Sequence, residues 1–135
     1  MTVRTLDDVA LAGQRVLVRE DLNVPLKAGE VVDEARLRAV LPTLQRLLDA
    51  GARVMVMSHL GRPKAGGFDP EASMAPVGRR LGELLGREVP VVRDWLDGGT
   101  VPAAGELVLC ENVRFNDGET DNDEDLSRRM AALCD

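Results

Sequence analysis

The run Arg53-Val54-Met55-Val56-Met57 is apolar at consecutive positions rather than at alternate ones. A strand with that pattern is buried on both faces, which points to a parallel sheet covered on either side. Helical patterns flank it. Upstream, Leu37, Val40, Leu41, Leu44, Leu47 and Leu48 make one stripe, opened by Asp33 as N-cap and stopped by Gly51. Pro42 falls inside that stripe and is expected to kink the helix or split it in two. Downstream, Ser73 is expected to cap a second helix with Pro76 in its first turn, a stripe of Val77, Leu81, Leu84 and Leu85, and Gly86 as its end. Arg15 to Val18, Val89 to Val92 and Leu107 to Cys110 read as further strands, with a short helical turn over Asp94 to Gly99. A last helix opens at Asn122 or Asp123 and carries Leu126, Met130 and Leu133 at helical spacing. The order predicts an α/β fold, a doubly wound parallel sheet in a Rossmann-like three-layer arrangement. The sheet is expected to be incomplete at its C-terminal end, because the final helix stops at Asp135 where another strand should follow.

A length of 135 residues suits one domain. With 44% hydrophobic but only 2% aromatic residues, the core must be aliphatic. The net charge of −6 argues against nucleic acid, whose phosphate backbone demands a basic field. A small anion needs only a local positive pocket and stays open. No stretch reaches the roughly 18 apolar residues of a membrane span, and Met1 to Asp8 has no signal-peptide character. A cytoplasmic location is the expectation. Cys110 and Cys134 lie far apart without metal-site spacing and read as reduced thiols.

Ligands of open parallel sheets bind beyond the carboxyl ends of the strands. Asp21 and Asn23 follow the first strand, Ser58, His59 and Arg62 the second, and Glu111, Asn112 and Arg114 the last. Arg36 lies in the first turn of the first helix, which begins at the same edge. Arginine offers a planar fork that fits carboxylate and phosphate oxygens in pairs. Histidine adds a donor near neutral pH, and Asp21 can accept from a hydroxyl. The ligand implied is small, with two anionic groups and at least one hydroxyl.

Blander readings stand beside these. A strand-end arginine is commonly a surface charge, a lone histidine a satisfied structural residue, and Asp21 and Asn23 ordinary turn residues ahead of Pro25. Cys110 reads as core, Trp95 as cover for a core edge, and the acidic run from Asp117 to Asp125 as a solvated loop and helix start. The Gly61 to Gly66 stretch has half of a phosphate-binding loop. Gly67 and Phe68 stand where lysine and a hydroxyl residue are required, which excludes a nucleotide site there.

Four blocks go further. V-R-E-D-L-N-V-P (Val18 to Pro25), A-R-L-R-A-V-L-P (Ala35 to Pro42), M-S-H-L-G-R-P (Met57 to Pro63) and C-E-N-V-R-F (Cys110 to Phe115) resemble, in order and spacing, the signature blocks of the phosphoglycerate kinases. Glu20 stands where that family commonly has a small or apolar residue, and Leu22 where phenylalanine is frequent. The resemblance implies the N-terminal lobe of a two-lobed glycolytic enzyme that moves a phosphoryl group between 1,3-bisphosphoglycerate and ADP. It implies that residues 1–135 are part of the phosphoglycerate-binding domain, that the nucleotide-binding domain is absent, and that Mg-ATP or Mg-ADP is used by the missing lobe, with no cofactor bound by this chain. It places Asp21 and Asn23 near the substrate's hydroxyl and carboxyl groups, and His59, Arg62 and Arg114 on the phosphate that is not transferred. Arg36 would lie nearest the reacting carboxyl-phosphate and serve as the catalytic residue. No metal ligand falls in this part. The expected partners are 3-phosphoglycerate or 1,3-bisphosphoglycerate and the missing lobe, with no nucleic acid and no membrane. The full-length enzyme is expected to be a monomer, the chain alone to bind substrate weakly, not to catalyse, and to be prone to self-association. The competing readings are a stand-alone anion-binding module and an interaction domain that has kept only the fold.

Overall fold

The computed structural model describes residues 4–63, 66–98, 101–116, 119 and 123–135. Among these residues, six strands and three α-helices follow one another as β1 (Arg15–Arg19), β2 (Leu26–Lys27), β3 (Glu30–Val31), α1 (Ala35–Asp49), β4 (Arg53–Met57), α2 (Ala75–Leu85), β5 (Val91–Val92), β6 (Leu107–Cys110) and α3 (Glu124–Ala131). The main sheet has the order β1-β4-β6-β5 with every pairing parallel, and β2 and β3 form a separate antiparallel ribbon. The expected α/β fold with a parallel sheet and helical cover is what forms.

The apolar strand at the centre explains the layering. Successive side chains of a strand point to opposite faces. On β4, Val54 and Val56 enter one core with Leu37, Leu44, Leu47, Met74, Val77 and Leu81 from α1, α2 and the approach to α2. Met55 enters another with Trp95, Val108, Cys110, Val113 and Leu133. On β6, Leu107 and Leu109 join the first core, Val108 and Cys110 the second. Trp95 is fully buried inside the second core rather than covering an edge. Its bulk fills a layer to which α3 itself adds the partly buried Met130. Cys110 is buried as expected, and burial pushes its thiol up to about 12. Both cysteines are free.

Several boundaries differ from the sequence reading. Pro42 does not split α1, which runs unbroken from Ala35 to Asp49. The proline lies on the exposed face, so the carbonyl that loses its partner can be solvated. The cap residues act one position early. Asp33 accepts from the Ala35 N–H (3.0 Å) and Ser73 from the Ala75 N–H (3.1 Å), while Glu34 and Met74 occupy the cap positions without side-chain cap bonds. Gly86 ends α2 in the left-handed conformation, as the sequence suggests. Of Val89 to Val92 only Val91 and Val92 pair. The turn expected over Asp94 to Gly99 is a 3₁₀ turn at Trp95–Asp97, with Gly99 outside the described residues. Asp123 opens α3, its carboxylate accepting from the Leu126 N–H (2.9 Å); Asn122 lies outside the described residues, as do Lys64 and Ala65 of the glycine-bounded loop.

Gly78 and Gly82 on α2 set how closely that helix approaches the chain entering β5. A Cβ on Gly78 would stand 2.7 Å from Val91 Cγ2, and one on Gly82 2.6 Å from the Arg87 carbonyl oxygen. Only hydrogen fits at either place. The β2–β3 ribbon, which the sequence reading missed, turns through Ala28 and Gly29, both at positive φ (51° and 76°), as a tight two-residue hairpin requires. No helix among the described residues is long and apolar enough to cross a membrane.

Candidate functional site

Three loops leave the carboxyl ends of β1, β4 and β6, and buried polar side chains tie them together. The Ser58 hydroxyl accepts from the Leu22 N–H (3.0 Å) and donates to the His59 carbonyl (2.9 Å). The Ser58 carbonyl in turn accepts from the Val113 N–H (3.0 Å). Asn112, fully buried, donates from Nδ2 to the carbonyls of Leu60 (2.7 Å) and Ala72 (2.9 Å) and accepts the Arg114 N–H (3.0 Å) at Oδ1. Glu111 is 5% exposed. Its carboxylate accepts from the N–H groups of Met74 (2.5 Å) and Asn112 (3.2 Å) and from the Ser73 hydroxyl (2.8 Å). The carboxylate therefore sits at the N-terminus of α2, where orphan N–H groups and the helix dipole favour negative charge. Ser58, Glu111 and Asn112 share the strand edge with the candidate ligand contacts, and here they are the scaffold that holds them.

The six candidate residues fall into two linked groups. Arg36 reaches from the first turn of α1 to the loop after β1, donating from Nη1 to the Asn23 carbonyl and to Asp21 Oδ1 (3.3 Å). Asp21 Oδ1 also accepts the Asn23 N–H (3.2 Å). Asn23 Oδ1 accepts the Gly61 N–H (2.9 Å), which fastens this loop to the one bearing Arg62. Asn23 and Arg62 line one concavity of about 340 Å³ with Leu26, Leu60 and Asp69. Arg62 is exposed.

The second group centres on His59. Burial holds its imidazole below the usual value, and the positive charges of Arg114 and Arg19 push the same way, against smaller opposing pulls from Asp21 and Glu119. Arg114 donates from Nε to Glu119 Oε2 (3.1 Å), and Arg19 from Nη2 to Glu119 Oε1 (2.6 Å). The Glu119 side chain is only 7% exposed. The two arginines hold its carboxyl below the ordinary range although burial opposes them. Sequence reasoning missed both Arg19 and Glu119. Arg19 ends β1 at the productive edge, and its position alone could have brought it in. Glu119 had no such signal. It belongs to the acidic run read as a solvated loop, and that reading fails here because two guanidinium groups replace the water around its carboxylate. Asp117, Gly118 and residues 120–122 of that stretch lie outside the described residues.

A larger concavity of about 590 Å³ lies beside these groups, lined by Phe68, Arg93, Glu111, Phe115, Asp123 and Arg129 among others, and it takes in none of the six. The six instead lie on the loops after β1, β4 and β6 and on the first turn of α1, with more arginine than carboxylate among them. Such a surface can grip a small anion through arginine forks and a histidine without enclosing it.

Comparisons with known proteins identify the family. The family model described as phosphoglycerate kinase matches residues 6–135. The structure of phosphoglycerate kinase from Coxiella burnetii is similar at 48% identity and a TM-score of 0.91, over 96% of this chain and 33% of that one. The crystal structure of phosphoglycerate kinase from Pyrococcus horikoshii OT3 is similar at 28% identity and a TM-score of 0.82, over 96% of this chain and 34% of that one. The chain thus spans about a third of the length of these relatives. With four signature blocks in order, a matching parallel sheet and a family match over nearly all its residues, the chain belongs to the phosphoglycerate kinase family.

Proposed function

We propose that the chain is the phosphoglycerate-binding part of a glycolytic kinase that moves a phosphoryl group between 1,3-bisphosphoglycerate and ADP, or between ATP and 3-phosphoglycerate in reverse. The observation that supports this best is the meeting of Asp21, Asn23, Arg36, His59, Arg62 and Arg114 at one sheet edge in a member of that family. In this reading His59, Arg62 and Arg114 grip the phosphate that stays, and Asp21 and Asn23 orient the hydroxyl and carboxyl groups. Arg36 steadies charge on the group in transit. Phosphoryl transfer depends mainly on positioning and electrostatics, so a set of fixed donors suits it. Residues 1–135 then form part of one domain. The magnesium nucleotide belongs to a second lobe, no cofactor binds here, and the enzyme works in the cytoplasm.

Calorimetry with 3-phosphoglycerate tests the binding half of the proposal. Weak binding that Arg114→Ala abolishes is expected, and absence of any heat at millimolar ligand would overturn it. The 135-residue chain should not turn over ATP and 3-phosphoglycerate, because only the acceptor side is supplied. A coupled ADP-release rate above a protein-free control would refute that. Among the described residues the only strand paired with β1 is β4, so beyond the contact of Asp135 with Arg15 its outer edge is open to another strand. Concentration-dependent self-association of this chain in sedimentation is expected, and a strictly monomeric profile would count against it.

A further inference from the structure

The carboxylate of Glu119 is nearly buried in a surface loop, and it divides its two oxygens between two arginines from different elements. A loop carboxylate has no reason to leave water unless something compensates its desolvation. Here two charge-assisted bonds do. The geometry of the bonds is informative as well. Arg114 gives Glu119 its Nε and Arg19 gives one terminal nitrogen, so neither guanidinium spends its whole donor set on the contact. Among the described residues no other side chain accepts from the terminal nitrogens of Arg114. Two like charges beside His59 would otherwise drift apart into solvent, and a carboxylate bridging them holds both at one spacing.

We infer that Glu119 is a positioning residue, a carboxylate clamp that fixes Arg19 and Arg114 beside His59 and leaves the terminal nitrogens of Arg114, which no other described side chain engages, to meet a phosphate. This rests on the proposed phosphate-binding role of Arg114 and His59 and deepens it. The charged groups that act on His59 are Arg114 and Arg19, which disfavour its protonation, and Asp21 and Glu119, which favour it. Neutralising Glu119 therefore removes one of the two supports for the imidazolium and unlocks the arginines together.

The test uses the 135-residue chain as it stands, with Glu119→Gln and Glu119→Asp beside the wild type and NMR spectra to verify the fold of each. Two readouts need no ligand. The Arg114 Nε–H should exchange slowly with water in the wild type and markedly faster in Glu119→Gln, and the His59 titration should move to higher pH in that variant, because the released arginines oppose its protonation more than Glu119 supports it. The third readout is affinity for 3-phosphoglycerate, expected to fall about 10-fold in Glu119→Gln, the low end for losing a group that orients a ligating side chain. Glu119→Asp keeps the charge but is too short to span both arginines. It should restore only part of the His59 titration and of the affinity. Tighter binding in Glu119→Gln would overturn the clamp, since the carboxylate would then be competing with the phosphate. Unchanged exchange and an unchanged His59 titration would overturn it as well. If the wild type binds no 3-phosphoglycerate, the phosphate-binding reading falls, and the two ligand-free readouts still decide whether Glu119 is a clamp.

Discussion

The guanidinium of Arg36 stands 3.3 Å from the carboxylate of Asp21, joining the first turn of α1 to the loop after β1. Both side chains are more than half exposed, so the pair adds little to stability. An arriving anion can displace it at small cost. Arg62 and Arg114 are proposed to hold a group that never moves, and such contacts act on the ground state. Arg62→Ala should weaken 3-phosphoglycerate binding by about 1.5–3 kcal/mol, the range for a charge-assisted bond. Arg36→Ala should weaken it less, because its proposed interaction is realised mainly in the transition state. In a protein that also carries the nucleotide lobe, Arg36→Ala should cause the larger fall in kcat. Calorimetry followed by turnover measurements checks both rankings, and equal effects in each would remove the separate role of Arg36.

Glu111 should matter to folding rather than to binding alone. Replacing it with alanine strands the Met74 N–H, the Asn112 N–H and the Ser73 hydroxyl in a buried setting. A loss of about 2–3 kcal/mol is expected in urea unfolding, as for a buried charged acceptor. Glu111→Gln keeps one acceptor and should cost less. Equal midpoints for wild type and the alanine variant would contradict the cap.

Gly82→Ala should destabilise the chain by about 1–3 kcal/mol, the usual penalty for overpacking. The added methyl would meet the Arg87 carbonyl, which belongs to the backbone and cannot rotate away. Gly78→Ala meets a side-chain methyl of Val91 instead and should be milder. Thermal melts of the two variants test the order.

Acid should weaken the junction between α1 and α2. Hydrogen bonds from Arg80 and Arg38 hold the Glu34 carboxyl at about 2. The folded value lies below the unfolded one of roughly 4.3. The stabilisation is therefore complete above the unfolded value and fades as pH falls toward 2. Glu34→Gln should melt below the wild type at pH 7, and the gap should narrow between pH 4 and pH 2. A gap that does not change with pH would show that the carboxylate charge is not involved.

Much of the fold was legible because the apolar periods are long and distinct. The unbroken run from Arg53 to Met57 announced a strand covered on both faces, and Val54, Met55 and Val56 do divide between two cores. Short elements were less legible. A strand of two residues such as β5 forms because β6 lies beside it, and the β2–β3 ribbon hangs on a turn with Ala28 at positive φ, which no propensity suggests. Cap residues were recognised by type but misplaced by one position, since Asp33 and Ser73 bond their helices from just outside. At the site, residue types and strand ends put the candidates on the loops after β1, β4 and β6 and on the first turn of α1, where they lie, and they gave no means of separating exposed side chains from buried scaffold. Glu111 and Asn112 follow β6 as Arg114 does, and only burial tells them apart. Glu119 was illegible because Arg19 lies far away in sequence and nothing in the acidic run marked this carboxylate as the partner of nearby Arg114.

The bonds through Ser58 reach beyond local geometry. Its hydroxyl holds the loop after β1 and its carbonyl holds the loop after β6, so the three loops share one small hub. A hub of that kind means the loops are already arranged before any substrate arrives. Ordering them would exact no extra entropy on binding an anion, and any larger motion must carry this edge as a rigid palm rather than as three independent fingers.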